Sequence, residues 1–224
     1  VCERFISQKG IMLYLINRPN WSQVSPLFKR ALFVGRFQPF HNGHLYATQR
    51  ILGEAEEVII VIGSAEKSHE LSNPFTAGER IEMIRRALRA EGVDSLRNIL
   101  VPVPDAEAHT AWVSQVVAYT PKFDIVYTNQ ALTRRLFLEA EYEVREIPLY
   151  MRSEYSATEI RRRILEGGDW GSLVPKEVYD FIREIKGDER IKDLAKTDYV
   201  QSNQGAGKDV VEHRSDAGKE VSRA

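Results

Sequence analysis

The chain has 224 residues, 43% of them hydrophobic, and a formal net charge of −1. That size and apolar content suit one domain with tails, and the near-neutral charge excludes a global field for nucleic acid or an anionic membrane. The single cysteine, Cys2, excludes an internal disulfide framework and a cysteine-based zinc site.

Residues 1–30 show little periodicity and read as an extension ahead of the domain. They lack an apolar stretch followed by a small-residue cleavage site, so no secretory signal is expected. Residues 31–35 read as a buried strand and 43–52 as the helix after it. Residues 58–63 are continuously apolar, which predicts a parallel strand covered on both faces. Thr76-Ala77-Gly78-Glu79 is a capping-box pattern, and Ile81, Ile84 and Leu88 then line one helical face. Residues 99–103 predict a third strand, stopped by Pro102 and Pro104. Trp112, Val113, Val116 and Val117 mark a helix that ends near Pro121. A strand over 124–128, a helix over 131–140 and a short strand over 143–147 follow.

Ser156-Ala157-Thr158-Glu159 is a second capping-box pattern. It opens a helix that stops at Gly167-Gly168 and turns Ile160, Ile164 and Leu165 inward. Pro175 suits a first helical position, with Val178, Phe181, Ile182 and Ile185 inward behind it. Apolar content collapses after about Thr197, so residues 199–224 are expected to be disordered. The alternation predicts an α/β domain over 31–198: a doubly wound, Rossmann-like parallel sheet of five strands with C-terminal helices. No apolar run approaches the ~20 residues that span a bilayer. A cytoplasmic location is the expectation, since one cysteine suits a reducing compartment.

Such sheets bind ligands beyond the carboxyl ends of their strands, where His41-Asn42-Gly43-His44 falls. The two histidines are three residues apart at a helix start, beside free backbone N–H groups and the positive dipole end. Gly43 allows close approach to the backbone. Taken alone, the motif reads as a phosphate cradle, as two surface histidines or as a metal pair. Preceded by Gly35-Arg36-Phe37-Gln38-Pro39-Phe40 at a strand end, it favours phosphate. Arg36 is either solvated or a phosphate ligand beside this cradle. Ser156 would cap the later helix, leaving Thr158 and Arg161 on one face toward a ligand. Arg162 and Arg163 read as solvent residues.

Gly-Arg-Phe-x-Pro-Phe-His-x-Gly-His, with Ser156-x-Thr158-Glu159-Ile160-Arg161-Arg162-Arg163 far downstream, resembles the nucleotidyltransferase superfamily with an HxGH motif. More narrowly, the chain resembles the archaeal-type nicotinamide-nucleotide adenylyltransferases. The similar blocks include residues 62–69, 73–80, 173–176, 184–187 and 195–198. The resemblance implies transfer of AMP from ATP to nicotinamide mononucleotide, giving NAD and pyrophosphate, with Mg2+ carried by ATP and no metal held by the protein.

On that resemblance His41, His44 and Arg161 are catalytic. Gly35, Arg36, Phe37, Gln38, Gly43, Ser156 and Thr158 complete the grip on ATP. Asn129 is implied on the adenosine, although Thr128-Asn129-Gln130 replaces the family's Ser-Gly-Asn and leaves Asn129 and Gln130 as alternatives. Ala157 replaces a family glycine, a change small enough to be tolerated. Trp112 would stack on the nicotinamide ring, against a reading as core aromatic. Ser64, Lys67 and Asp105 would line the mononucleotide side. Asn73, Phe75 and Arg80 would close over it, against readings of Phe75 as packing and Arg80 as a solvated helix residue. A homo-oligomer, a hexamer in the family, is implied as well.

Rivals are transfer of AMP to phosphopantetheine or a flavin mononucleotide, and a module that senses ATP or NAD without turnover. A fragment of an aminoacyl-tRNA synthetase is a third, but the chain is short for one and has no basic region for tRNA.

Overall fold

The computed structural model describes residues 26–147 and 155–205, with side chains as far as Lys196. The expectations for residues 1–25, Cys2 among them, and for 206–224 lie outside the described residues.

Five strands are described: β1 (Phe28–Gly35), β2 (Ala55–Ile62), β3 (Asn98–Pro102), β4 (Ile125–Tyr127) and β5 (Val144–Arg145). They form one parallel sheet in the order β3-β2-β1-β4-β5. The helices are α1 (Asn42–Leu52), α2 (Ala77–Ala90), α3 (Trp112–Tyr119), α4 (Ala131–Glu139), α5 (Ala157–Glu166), α6 (Lys176–Glu184) and α7 (Gly187–Gly205). Side chains alternate across the sheet, as the strand period of two requires. Ala31, Phe33, Val58, Ile60 and Ile62 pack under α1, α2, α5, α6 and α7. Leu32, Ile59, Val61 and Val126 pack under α3 and α4. Both faces are therefore covered, which is why these strands read as unbroken apolar runs. Full burial of one such side chain contributes about 1.5–3 kcal/mol.

Strand order reverses at β1, which has β2 on one side and β4 on the other. The loops leaving β1 and β4 then diverge to opposite faces of the sheet and leave a crevice between them.

Several boundaries differ from the expectation. β1 begins at Phe28, inside the stretch taken as extension: Phe28 pairs with Ala55, and the N–H groups of Lys29 and Arg30 both donate to Asp124 Oδ2 at 2.9 Å. Two consecutive basic residues had hidden this strand start. β2 likewise begins earlier, at Ala55, ahead of Glu56 and Glu57. Pro175 is the N-cap of α6 and not its first residue. Residues 199–205 are helical as the end of α7, because polar residues without a breaker continue a helix as far as Gly205.

The second capping box forms only by half. Ser156 Oγ accepts the Glu159 N–H at 3.1 Å. The Glu159 carboxylate turns instead to Arg162 and Arg163, which hold its pKa down to about 2. Two charge-assisted partners outcompete one neutral N–H. At Thr76 and Glu79, by contrast, both bonds of the box are present. Ile160 and Ile164 are buried, but Leu165 is exposed because it lies off their i, i+4 stripe. Val117 is exposed although it follows buried Val113 by four residues, beside buried Val116.

Candidate active site

The segment after β1 is shaped by aromatic packing. Phe37 has φ 54°, in the left-handed region, and its ring folds back over Gly35. A Cβ on Gly35 would lie 2.7 Å from Phe37 Cζ, so only glycine fits there. Phe37 and Phe40, both buried, then flank His44, with ring centroids 4.8 and 5.5 Å away.

His41 is the N-cap of α1 and His44 is its N3 residue. The His44 N–H donates to His41 Nδ1, and the His41 N–H donates to His44 Nδ1, each at 3.3 Å. This is a capping box built from two imidazoles. Its chemistry follows directly: each Nδ1 accepts a bond, so neither carries a proton. Both neutral rings must hold their proton on Nε2. The rings stack with centroids 3.5 Å apart. Burial pulls the His41 pKa down to about 3. Burial, and then the neighbouring His41 ring, hold His44 well below its usual range. The pair thus presents two neutral Nε2–H donors. A Cβ on Gly43 would come 3.1 Å from the His41 ring, closer than ordinary contact, so a side chain there would press on this stack.

Arg161 reaches the same place from α5. Its Nη1 donates to the Gln38 carbonyl at 2.7 Å. Gln38 is itself clamped: its amide donates to the Phe75 carbonyl at 2.9 Å and accepts the Phe75 N–H at 3.0 Å. Burial, and then the charge of Arg36, lower the Arg161 pKa. Two guanidinium groups close enough to repel are relieved by an anion between them.

Beyond β2, Ser64 sits at φ 48° and donates to Asp105 Oδ1 at 3.0 Å. Lys67 Nζ is 2.7 Å from Asp105 Oδ2. Burial alone would raise the Asp105 pKa, but the bonds from Lys67 and Ser64 outweigh it and hold the carboxylate below its usual range. Trp112, at the start of α3, packs edge-on against Phe137 with centroids 5.9 Å apart and also lines the cleft. This tryptophan is thus half-buried, with one side against the core and the other at the cleft.

The histidine pair, Arg161, Ser64, Lys67, Asp105 and Trp112 border one cleft of about 850 Å³ at the carboxyl ends of β1 and β4. It takes in Gly35, Arg36, Phe37, Gln38, His41, Gly43, His44, Ser64, Lys67, Asp105, Trp112, Asn129, Ser156, Thr158 and Arg161. Three expected residues lie outside its lining. Phe75 is a fully buried core residue, and Asn73 bonds to Glu70 and Ser72 in its own loop. Arg80 is fully buried rather than solvated or facing a ligand.

Both alternatives for the adenosine contact use their side-chain oxygens within the fold, and Gln130 as well as Asn129 lines the cleft. Asn129 exchanges two hydrogen bonds with the Ile147 main chain, at 3.0 and 2.9 Å. Gln130 caps α4 by accepting the Thr133 N–H at 2.8 Å. Arg162 and Arg163 pair with Glu159, away from the cleft. Sequence reasoning missed Thr128, His109 and Tyr155, which also line it. The buried Thr128 accepts the Gln130 N–H at 3.2 Å, an ST-turn pattern that was readable after the fourth strand. No local signal marks the other two. Among the described residues no group of three or more His, Cys, Asp or Glu is placed to hold a metal ion.

Residues 32–163 match the cytidylyltransferase-like family. The nicotinamide-nucleotide adenylyltransferase of Thermococcus kodakarensis is 51% identical over 169 residues, 75% of this chain and 90% of its own length. That of Thermoplasma acidophilum is 52% identical over 170 residues, 76% of this chain and 94% of its own. A bifunctional NMN adenylyltransferase/ADP ribose pyrophosphatase from Francisella tularensis, solved with AMP and a manganese ion, shares the fold with a TM-score of 0.64 at 24% identity. The match covers 80% of this chain but 56% of that one, little more than half its length. Motif, topology and relatives agree: this chain belongs to the cytidylyltransferase-like family, among its nicotinamide-nucleotide adenylyltransferases.

Proposed function

We propose that this protein joins ATP and nicotinamide mononucleotide to give NAD and pyrophosphate. The observation that carries the reading is the His41–His44 cap, which aligns two neutral Nε2–H donors beside Arg36 and Arg161 in one cleft. A phosphate oxygen of the mononucleotide attacks the α-phosphorus of ATP in line. The bond from that phosphorus to the bridging oxygen breaks, and pyrophosphate leaves with the electron pair. No protein nucleophile takes part, so catalysis is positioning plus stabilisation of developing charge.

His41 and His44 donate to ATP phosphate oxygens, and Arg161 with Arg36 neutralises the departing pyrophosphate. Ser156, Thr158 and the N–H groups opening α5 hold the far side of the triphosphate. Asn129 is tied to the Ile147 main chain through both its amide nitrogen and its amide oxygen, so the Gln130 amide nitrogen and main-chain groups of that loop are left to read the adenine. Ser64, Lys67, Asp105 and Trp112 form the mononucleotide side. A divalent cation, Mg2+ in this proposal, enters on the ATP oxygens as part of the substrate. We read the protein as cytoplasmic and as a homo-oligomer, a hexamer by family resemblance, to be checked by light scattering.

The test supplies ATP and Mg2+ with nicotinamide mononucleotide, nicotinate mononucleotide, flavin mononucleotide and phosphopantetheine in turn, and identifies products by mass. NAD with stoichiometric pyrophosphate is the expected result. Nucleotide binding without pyrophosphate release would establish the sensor instead.

A further inference from the structure

Arg80 heads the largest fully buried side chains among the described residues, and none of the described ion pairs includes it. Its guanidinium donates to four main-chain carbonyls instead. Nε reaches Thr76 at 3.2 Å, Nη1 reaches Arg36 at 3.0 Å and Gly63 at 2.8 Å, and Nη2 reaches Ser64 at 3.1 Å. Burial lowers its pKa only to about 10, so it remains a cation at neutral pH. Burying a charge without a carboxylate in contact is costly, offset here by the carbonyl dipoles and by the more distant charges of Glu66 and Glu79. A leucine or methionine would fill the same space without that cost. The placement of the four acceptors explains the arginine. Arg36 belongs to the loop after β1, Gly63 and Ser64 to the loop after β2, and Thr76 is the N-cap of α2.

These loops carry different halves of the cleft. Arg36 follows β1 on the side of the histidine pair. Ser64, held at φ 48°, places the hydroxyl that orients Asp105 and, through it, Lys67. The Gly63 N–H also donates to the Gly35 carbonyl at 2.9 Å, so the two loops already meet at their roots. We infer that Arg80 is a positioning residue that clamps the Arg36 loop to the Ser64 loop, setting the approach of the mononucleotide phosphate to the ATP α-phosphorus while touching neither substrate. A lysine cannot replace it, because one Nζ cannot reach acceptors spread over three guanidinium nitrogens.

The inference rests on the adenylyl-transfer reading, and the experiment separates the two. Wild type and Arg80→Lys are compared with ATP and nicotinamide mononucleotide, each substrate varied in turn, with activity expressed per folded molecule. Loss of alignment predicts that kcat falls by about 10²-fold in Arg80→Lys while neither KM dominates the loss. A raised KM for one substrate at unchanged kcat would mean direct contact and overturn the positioning role. A lower Tm with wild-type kcat would mean a merely structural role and overturn it equally. Absence of turnover in the wild type would take down the adenylyl-transfer reading itself, and the inference with it. Arg80→Met, which fills the same space without the buried charge or its four bonds, supplies the second arm and decides should Arg80→Lys not fold. Its kcat is expected to fall by a similar factor with neither KM dominating, and a wild-type kcat would overturn the inference.

Discussion

His41 and His44 illustrate how two residues can fix each other's chemistry. The reciprocal cap requires an unprotonated Nδ1 on both rings, and that choice of tautomer leaves Nε2–H as the only donor each can offer. Positive charge is then left to Arg36 and Arg161, and the histidines supply direction. Removing one donor aimed at developing charge typically costs about 10²–10³ in rate. His44→Ala is therefore expected to lose kcat by about that factor. Its stability should fall as well, by about 1 kcal/mol for the lost cap bond together with the packing of the ring against Phe37, Phe40 and His41. Steady-state kinetics with a parallel melting curve measure both, and near-normal turnover would remove His44 from the reaction.

The histidine motif and its helix-start position were legible in the sequence, because both lie within a few residues. The committed side chain of Asn129 was not legible. Its partner is the Ile147 main chain on a neighbouring loop, and no local pattern encodes that contact.

Among the elements, helix starts were readable and their reciprocal details were not. Thr76 and Glu79 make the full capping box, whereas Glu159 abandons Ser156 for two arginines one turn away. The same four-residue pattern has two outcomes, decided by the charges that follow it.

The end of α5 is simpler. Gly167 closes it at φ 73°, in the left-handed region, and an added Cβ there would meet nothing within 4 Å. The cost of Gly167→Ala is thus purely conformational, about 1 kcal/mol. Calorimetry should show Tm lower by roughly 2–4 °C for a domain of this size. Activity should be unchanged, since Gly167 does not line the cleft. An unchanged Tm would mean that this helix end is not held left-handed in solution.

At the scale of the molecule, the site and the stability of the fold are coupled through buried neutral imidazoles. An unfolded histidine titrates near 6.5, while His41 in the fold titrates near 3 and His44 is also shifted well down. Both folded values are depressed, so the unfolded state takes up protons first as pH falls. This contribution is complete above about pH 6.5 and declines as pH falls from there toward 3. Within that window each pH unit removes about 1.4 kcal/mol per fully shifted histidine. Denaturant melts at successive pH values are expected to show this slope, and a His41→Asn, His44→Asn double variant should flatten it. An unchanged slope in the double variant would assign acid sensitivity to other groups.

The sequence by itself determined the order of strands and helices and the place of the histidine motif at a helix start beyond the first strand. Those features depend on periodicity, caps and turns that act over a few residues. Only the tertiary structure decided which distant groups share the cleft. It brought Arg161 onto the Gln38 carbonyl, 123 residues away, and kept Phe75 in the core. It also turned Arg80 from an expected ligand contact into a clamp on four carbonyls. Such contacts follow from how helices pack across the reversal in strand order at β1, and no window of sequence contains both partners.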